Sequence, residues 1–568
     1  MAEARTSPKN PGKKELAKRD KQALGLLVLT LLLGLMLRTA GLMWSLPDAR
    51  HPLATYHPDE LINLSAATAA DIPHLQLDIK FYNYGTFYFY LVSFAHTLGR
   101  GWGLIPTTPN GYDAFSPQAA PEQAALFLAG RIVTALLGTA TIAVIYFLGR
   151  RMYGRKAGLL AALFYAVTPI AVQHAHFLTV DVPATFFVAL ALLWAARLLT
   201  RQRRADYVLA GVWVGLAAAT KYNVGLVLIA PLLAHRFNKN PNACETHRAA
   251  HFFVLLVAAG FAFLIACPGP IINFDAFWNG TYPGSGVRYE LFEHSRSGHG
   301  DLFTNTGPGW IYHLVVSLRY GMGTPLLLLS LLGIGYAVWK RRPEDVLILS
   351  FILLYYGLAG FSAVRFARYM IPLFPAFSVL AARFIVAPFS RRIVGSAMAG
   401  FAAVVILCAF GSSALLDLQM TERDSRDFFA DYLEHHAPQG ASIAFAKIPW
   451  FYSPPLSPLF GAPAASVRAK SAELTTRYHL ILPKTEWDTG VLSPPPDYFV
   501  ISDLETANAV SRLHEPAAVH FMQALRADSW ETMRSPYVAH LGIYGPDVWN
   551  APEDMRYPDP DLTLYQKR

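Results

Sequence analysis

Two adjacent carboxylates, in the stretch His57-Pro58-Asp59-Glu60, are the residues of this chain best suited to chemistry. A carboxylate can take a proton from an acceptor hydroxyl or amine, so an acidic pair at the mouth of a membrane bundle suits catalysis or ion coupling. The residues that follow, LINLSAATAA, read as a short helix lying on the membrane. The acidic pair would then be its cap, with the acid side chains over its positive end. Asp181, in Thr179-Val180-Asp181-Val182-Pro183, is a second candidate acid; the same pattern also reads as a helix N-cap with proline in the first turn. His57, His174, His176, Glu290 and His294 are candidate substrate contacts; His174 and His176 also read as metal ligands or, each taken alone, as interfacial polar residues.

Cations form the opposing set. Arg131 falls inside an apolar segment, Lys221 lies between two short ones, Arg365 and Arg368 open another, and Lys80 precedes an aromatic stretch. Charge at such depth is expensive and marks a pathway, a partner or an anionic ligand, although a long stem reaching water explains any single one. Acids and cations gathered at one face fit a site that binds a phosphate group and activates a nucleophile.

The elements that must position these residues are membrane spans. Of 568 residues, 53% are hydrophobic and only 15% charged, with 36 Phe, 27 Tyr and 11 Trp; globular domains carry about 25% charged residues. A mean hydropathy of +0.30 is low for a purely membrane-embedded chain and suggests an appended water-soluble region. The net charge of +9 fits basic loops and a basic tail, with no compact Lys/Arg motif for nucleic acid. Cys244, Cys267 and Cys408 are too few and scattered for a disulfide framework or a cysteine metal site.

Apolar segments at 21–46, 122–148, 156–175, 183–200, 206–219, 222–235, 250–269, 319–339, 344–362, 366–386 and 394–416 predict about eleven spans. The first is longer than a signal-peptide core, which favours an uncleaved anchor. Lys13, Lys14, Lys18, Arg19 and Lys21 flank it, so the amino terminus is expected in the cytoplasm. Alternation from there puts the loops at Arg150-Arg151, Arg203-Arg204, Arg236 to Lys239, Lys340-Arg341-Arg342 and Arg391-Arg392 on the same side. Counting the aromatic stretch 81–98 as a twelfth span would reverse them, so it is expected to lie at the interface.

The chain therefore divides into a cytoplasmic basic tail, 1–20, a membrane domain, 21–417, and an extracytoplasmic region, 418–568, with large outer loops at 47–121 and 270–318. In the last region 424–438 and 505–524 read as helices and 442–446, 478–482 and 497–502 as strands, a small α/β domain. The predicted fold is mainly α: a polytopic helical bundle with a C-terminal α/β domain.

The order of these features resembles one family. An acidic pair in the first outer loop, a juxtamembrane aromatic helix, and RIVTALLGTATIAVIYFLGRRMYGRKAGLLAALFYAVTPIAVQHAHFLTVDVPATFF look like the GT-C membrane glycosyltransferases. RFARYMIPLFPAFSVLAA at 365–382 and the Asp424-Ser425-Arg426 opening of the last region are similar to the branch holding the protein O-mannosyltransferases and the lipid A aminoarabinose transferase. The resemblance covers 20–416 and is weaker beyond. It implies an inverting transfer of a sugar from a polyprenyl phosphate to a protein, lipid or glycan acceptor on the non-cytoplasmic face of the cell membrane. It implies Asp59 as general base or acceptor-positioning group with Glu60 in support, Asp181 as second acid, and Lys80 and Arg131 as donor-phosphate ligands. Lys221, Arg365 and Arg368 join these ligands as residues suited to an anion. Many members carry a Pro-Pro pair where this chain has Asn83-Tyr84-Gly85-Thr86. Some use a divalent metal; Asp59, Asp181 and Glu290 are possible ligands, and no metal or other cofactor is assigned. The competing readings are a transporter, which should show internal repeats or broken helices near mid-depth, and a membrane scaffold with an outer binding domain.

Overall fold

The computed structural model describes residues 13–201, 203–237, 245–387, 392–470, 477–527, 529–535, 551–558 and 560–568. Residues 1–12 of the basic tail, Lys239 and Arg391 of the basic loops, and Cys244 lie outside them.

A bilayer core of about 30 Å needs about 20 apolar helical residues. Among the described residues six helices meet that length and apolarity: Asp20–Thr39, Pro117–Tyr153, Asp181–Leu198, Arg248–Ala266, Ala367–Ile385 and Gly395–His436. Two pairs qualify only together, Arg155–Ala166 with Pro169–His176, bent by 67°, and Gly309–Met322 with Thr324–Lys340, bent by 119°. The chain is an integral membrane protein. Helices Arg204–Thr220 and Pro343–Ala359 fill two further predicted segments at 17 residues each, and Tyr222–Phe237 fills a third. Length and apolarity together support six crossings, or eight with each bent pair counted as one, where apolarity alone suggests eleven. The aromatic stretch becomes the 15-residue helix Phe87–Gly101, too short to cross by the same measure.

Small residues bring the helices together. Gly211 and Gly215 lie one turn apart on Arg204–Thr220, and an added Cβ would meet Leu255 O at 2.4 Å and Ala259 O at 2.3 Å. The helix therefore rests directly on Glu245–Ala266, the close backbone approach that small residues permit in lipid. Its far end delivers Lys221.

The C-terminal region is a five-stranded sheet. In chain order its strands are β1 (Ser442–Ala444), β2 (His479–Ile481), β3 (Tyr498–Ser502), β4 (Trp530–Arg534) and β5 (Leu562–Lys567), arranged β2-β1-β3-β5-β4. The β1 strand pairs in parallel with β2 and β3, whereas β5 runs antiparallel to β3 and β4. Alternation along the wholly buried β3 sends Phe499 and Ile501 toward Phe521 and Leu525 of Pro516–Ala527. Tyr498 and Val500 face Phe429 and Leu433 of Ser425–His436. Helices on both faces explain why β3 has no polar side. The predicted helix 505–524 is in fact interrupted: His514 adopts φ 51° and Pro516 restarts the chain as a new helix.

Candidate active site

Asp59 and Glu60 are neighbours in sequence that enter different networks. Glu60 is fully buried and meets the fully buried Arg131 as a fork, Nε to Oε1 at 2.8 Å and Nη2 to Oε2 at 2.6 Å. Thr55 Oγ1 and the Leu178 N–H donate to the same carboxylate, and Arg131 Nη1 donates to the carbonyls of Leu42 and Trp44. Burial pushes the Glu60 carboxyl up, but Arg131 outweighs it and the net shift is downward. Arg131 is thus taken by Glu60 and two carbonyls, without the accessible surface that a donor phosphate would need. Together they pin the first loop to helix Ala120–Tyr153.

Asp59 keeps 27% of its side chain exposed and accepts from Arg368 Nη2 at 2.8 Å. It occupies the N-cap position of helix Glu60–Thr68 but makes no capping bond, so neither acid caps that helix. Burial raises the Asp59 carboxyl; Arg368 above all, with Lys221, more than reverses this, and the net is lowered. Arg368 is nearly buried and continues the chain of charges, with Nε 4.0 Å from Asp181 and Nη1 3.8 Å from Asp554. Asp181 in turn accepts from Lys221 Nζ at 2.6 Å. The result is a ladder, Asp59–Arg368–Asp181–Lys221.

Local structure places each rung. Lys221 ends its helix in extended backbone, φ −150° and ψ 119°, and its ammonium lies 4.3 Å from the centre of the Tyr369 ring. Asp181 starts helix Asp181–Leu198 without a capping bond. Arg368 sits in the turn Ala367–Leu373, its guanidinium 4.0 Å above Phe366.

Lys221 opens onto a cavity of about 490 Å³, whose lining includes Tyr84, Glu290, His294, Tyr355, Leu358 and Tyr369. Glu290 accepts from Asn83 Nδ2 and is paired with His294 Nδ1, both at 2.7 Å. The Asn83-Tyr84-Gly85-Thr86 stretch reaches this wall because Gly85 presses on Ala219, whose carbonyl oxygen would be 2.0 Å from an added Cβ.

The other candidates stand apart from the ladder. Lys80 is exposed, and no ion pair joins it to either acid among the described residues. Arg365 donates to Thr306 Oγ1 and the Gly307 carbonyl and so holds the second large loop. His57 is buried, accepts the Asp59 N–H at 3.2 Å and packs on Phe177. Burial pushes its pKa down to about 4, with Arg368 and Arg131 in the same direction, so it is neutral. His174 lies beside it at 6.3 Å between ring centres, and His176 is tied to the carbonyls of Val172 and Ala40. No group of three His, Cys, Asp or Glu side chains suited to a metal occurs among the described residues, so Asp59, Asp181 and Glu290 do not form one.

Sequence reasoning missed Asp554, Tyr84 and Tyr369. Asp554 sits in Pro552-Glu553-Asp554-Met555-Arg556-Tyr557-Pro558, a pattern that reads as a surface turn.

Residues 125–267 match the family described as dolichyl-phosphate-mannose-protein mannosyltransferase. The matched quarter of the chain contains Arg131, His174, His176, Asp181 and Lys221. Among solved structures the chain is similar to apo ArnT from Cupriavidus metallidurans, at 15% identity over 86% of this chain and 95% of that one, TM-score 0.48. The same protein bound to undecaprenyl phosphate aligns at 14% identity over 95% and 98%, TM-score 0.43. AglB from Archaeoglobus fulgidus, in complex with an inhibitory peptide and a dolichol-phosphate, aligns at 13% identity over 89% and 72%, TM-score 0.45. The search of curated proteins finds no match.

Proposed function

We propose that this chain is an integral-membrane, GT-C-type glycosyltransferase that moves a sugar from a polyprenyl-phosphate donor to a protein, lipid or glycan acceptor. The observation that carries the reading is the Asp59–Arg368–Asp181–Lys221 ladder beside the cavity, with Asp181 and Lys221 inside the family match. The cavity suits an amphiphile: Tyr355, Leu358 and Tyr369 offer apolar walls and Lys221 a cation for a phosphate. Arg368 Nη1 is buried and makes no hydrogen bond to the protein, so the guanidinium has to turn toward the cavity to offer a second donor to an anionic oxygen.

In the reaction the acceptor oxygen or nitrogen attacks the anomeric carbon as its bond to the phosphate oxygen breaks. Asp59, ionised and the accessible member of the pair, takes the acceptor proton. The leaving polyprenyl phosphate keeps the bonding electrons, and Lys221 and Arg368 turn from their carboxylates to meet its growing charge. Glu290 and His294 contact the sugar or the acceptor. Residues 21–417 form the catalytic membrane domain and 418–568 an extracytoplasmic domain.

The site faces away from the cytoplasm of the cell membrane, and the amino terminus lies inside. The pairing of Asp20 with Arg150 and Arg155 supports that orientation, since it gathers the basic end of the first helix with the basic end of Ala120–Tyr153.

The test incubates the purified protein with a panel of polyprenyl-phosphate sugars and acceptors and follows release of polyprenyl phosphate. Release from at least one donor that is lost in Lys221→Met supports the reading. A folded protein that releases none from any donor refutes it.

A further inference from the structure

Arg368 is the pivot of the ladder, and the membrane bundle does not hold it alone. The segment around Glu553–Arg556, from the far end of the C-terminal region, is inserted behind it. Asp554 is fully buried; its Oδ1 accepts the Ala367 N–H at 3.2 Å and its Oδ2 the Arg368 N–H at 2.9 Å. The Oδ2 atom also lies 3.8 Å from Arg368 Nη1. With both oxygens accepting backbone N–H groups, Asp554 holds the turn at Ala367 and Arg368, and its charge lies beside the Arg368 guanidinium without a hydrogen bond to it.

Independent contacts fix the segment. Gln173 Nε2, buried in the bundle, donates to the Met555 carbonyl at 3.0 Å, and Met555 joins the main apolar core of the membrane helices. Tyr557 lays its ring 5.1 Å from His57, next to Asp59, and its carbonyl accepts from Arg426 at 2.8 Å. Arg426 is clamped by Asp424, which also accepts from Trp44, just ahead of the first loop. Arg556 pairs with Asp503 at the end of β3, linking the segment back to the sheet. Thus the segment touches the loop that carries Asp59, the turn that carries Arg368 and the helix Pro169–Gln173, and is tied to the sheet.

We propose that Asp554 is a positioning residue for sugar transfer: it sets Arg368 between Asp59 and Asp181, so the C-terminal region completes the phosphate site rather than only covering it. This rests on the glycosyltransferase reading above. Without Asp554, the backbone of Arg368 loses its anchor and the guanidinium is no longer held in place between Asp59 and Asp181.

Two measurements on the full-length enzyme test this. The first is hydrogen exchange at the amides of 364–373 in wild type and Asp554→Asn, which needs no activity. Faster exchange at Ala367 and Arg368, with the helix Phe374–Ile385 unchanged, is expected; unchanged exchange overturns the grip. The second is kcat and KM for the polyprenyl-phosphate sugar, per folded molecule. A displacement of about 1 Å can cost about 100-fold in rate, so kcat per folded molecule in Asp554→Asn is expected to fall by tens of fold or more, with partial recovery in Asp554→Glu. Gln173→Met, which loosens the segment without touching Arg368 or Asp554, is expected to give a smaller loss of kcat and decides the question should Asp554→Asn not fold. An active wild type whose variants keep their kcat, or lose only folded protein, overturns the positioning role. A wild type inactive on every donor, with the exchange result intact, instead refutes the glycosyltransferase reading.

Discussion

Asp59 and Glu60 carry the same functional group one residue apart, and their partners give them different work. Glu60 is sealed against Arg131, where removing one charge leaves the other buried and unpaired. Glu60→Gln is therefore expected to cost about 3–5 kcal/mol, read as a lower melting temperature and less folded protein. Asp59 is partly exposed, and its partner Arg368 retains Asp181 and Asp554 nearby. Asp59→Asn should consequently leave stability almost unchanged, and thermal unfolding of the two variants side by side checks the contrast. The acidic pair was visible in the sequence as a pair. Which member is buried was not, because that depends on where Arg131 and Arg368 arrive from 71 residues and more away.

Among the elements, those that position the site are helix ends. Lys221 follows the end of one helix, Asp181 begins another, and Arg368 lies in the tightly wound first turns of Ala367–Ile385. Gly85 is held against the Ala219 carbonyl, so Gly85→Ala forces the 81–86 stretch off the cavity wall. A cost of about 1–3 kcal/mol is expected, with KM for the donor raised in steady-state assays because Tyr84 and Asn83 move. Glu553, in the inserted segment, gives a pH signature. Burial, with Asp554 adding to it, pushes its carboxyl up to about 7. A carboxyl whose pKa is raised on folding disfavours the fold as pH climbs from its ordinary value of 4.5 through 7. Glu553→Gln should accordingly melt at nearly the wild-type temperature at pH 5 and a few degrees higher at pH 8; a gap that does not widen with pH contradicts the shift. The β1, β2 and β3 strands and most of the predicted helices were legible from apolar runs and alternation. The β4 and β5 strands were not, since WETMR is polar on its open face and LTLYQK follows a stretch rich in proline and aspartate.

At the scale of the whole molecule, the membrane helices and the C-terminal sheet meet at the ladder. Trp44, with Tyr56 and Arg50 of the first loop, bonds to Asp424, Asp427 and Glu434 at the cap and along the helix that opens the C-terminal region. A reading of apolar runs treats that region as appended, because contacts between residues more than 300 positions apart leave no periodic trace. The same limit hid Asp554, whose surroundings read as a proline-rich turn. Sugar transfer at the ladder is tested most directly by polyprenyl phosphate release in Asp59→Asn with its fold intact. The account predicts loss of release to background in that variant; full release by a folded Asp59→Asn enzyme would contradict it.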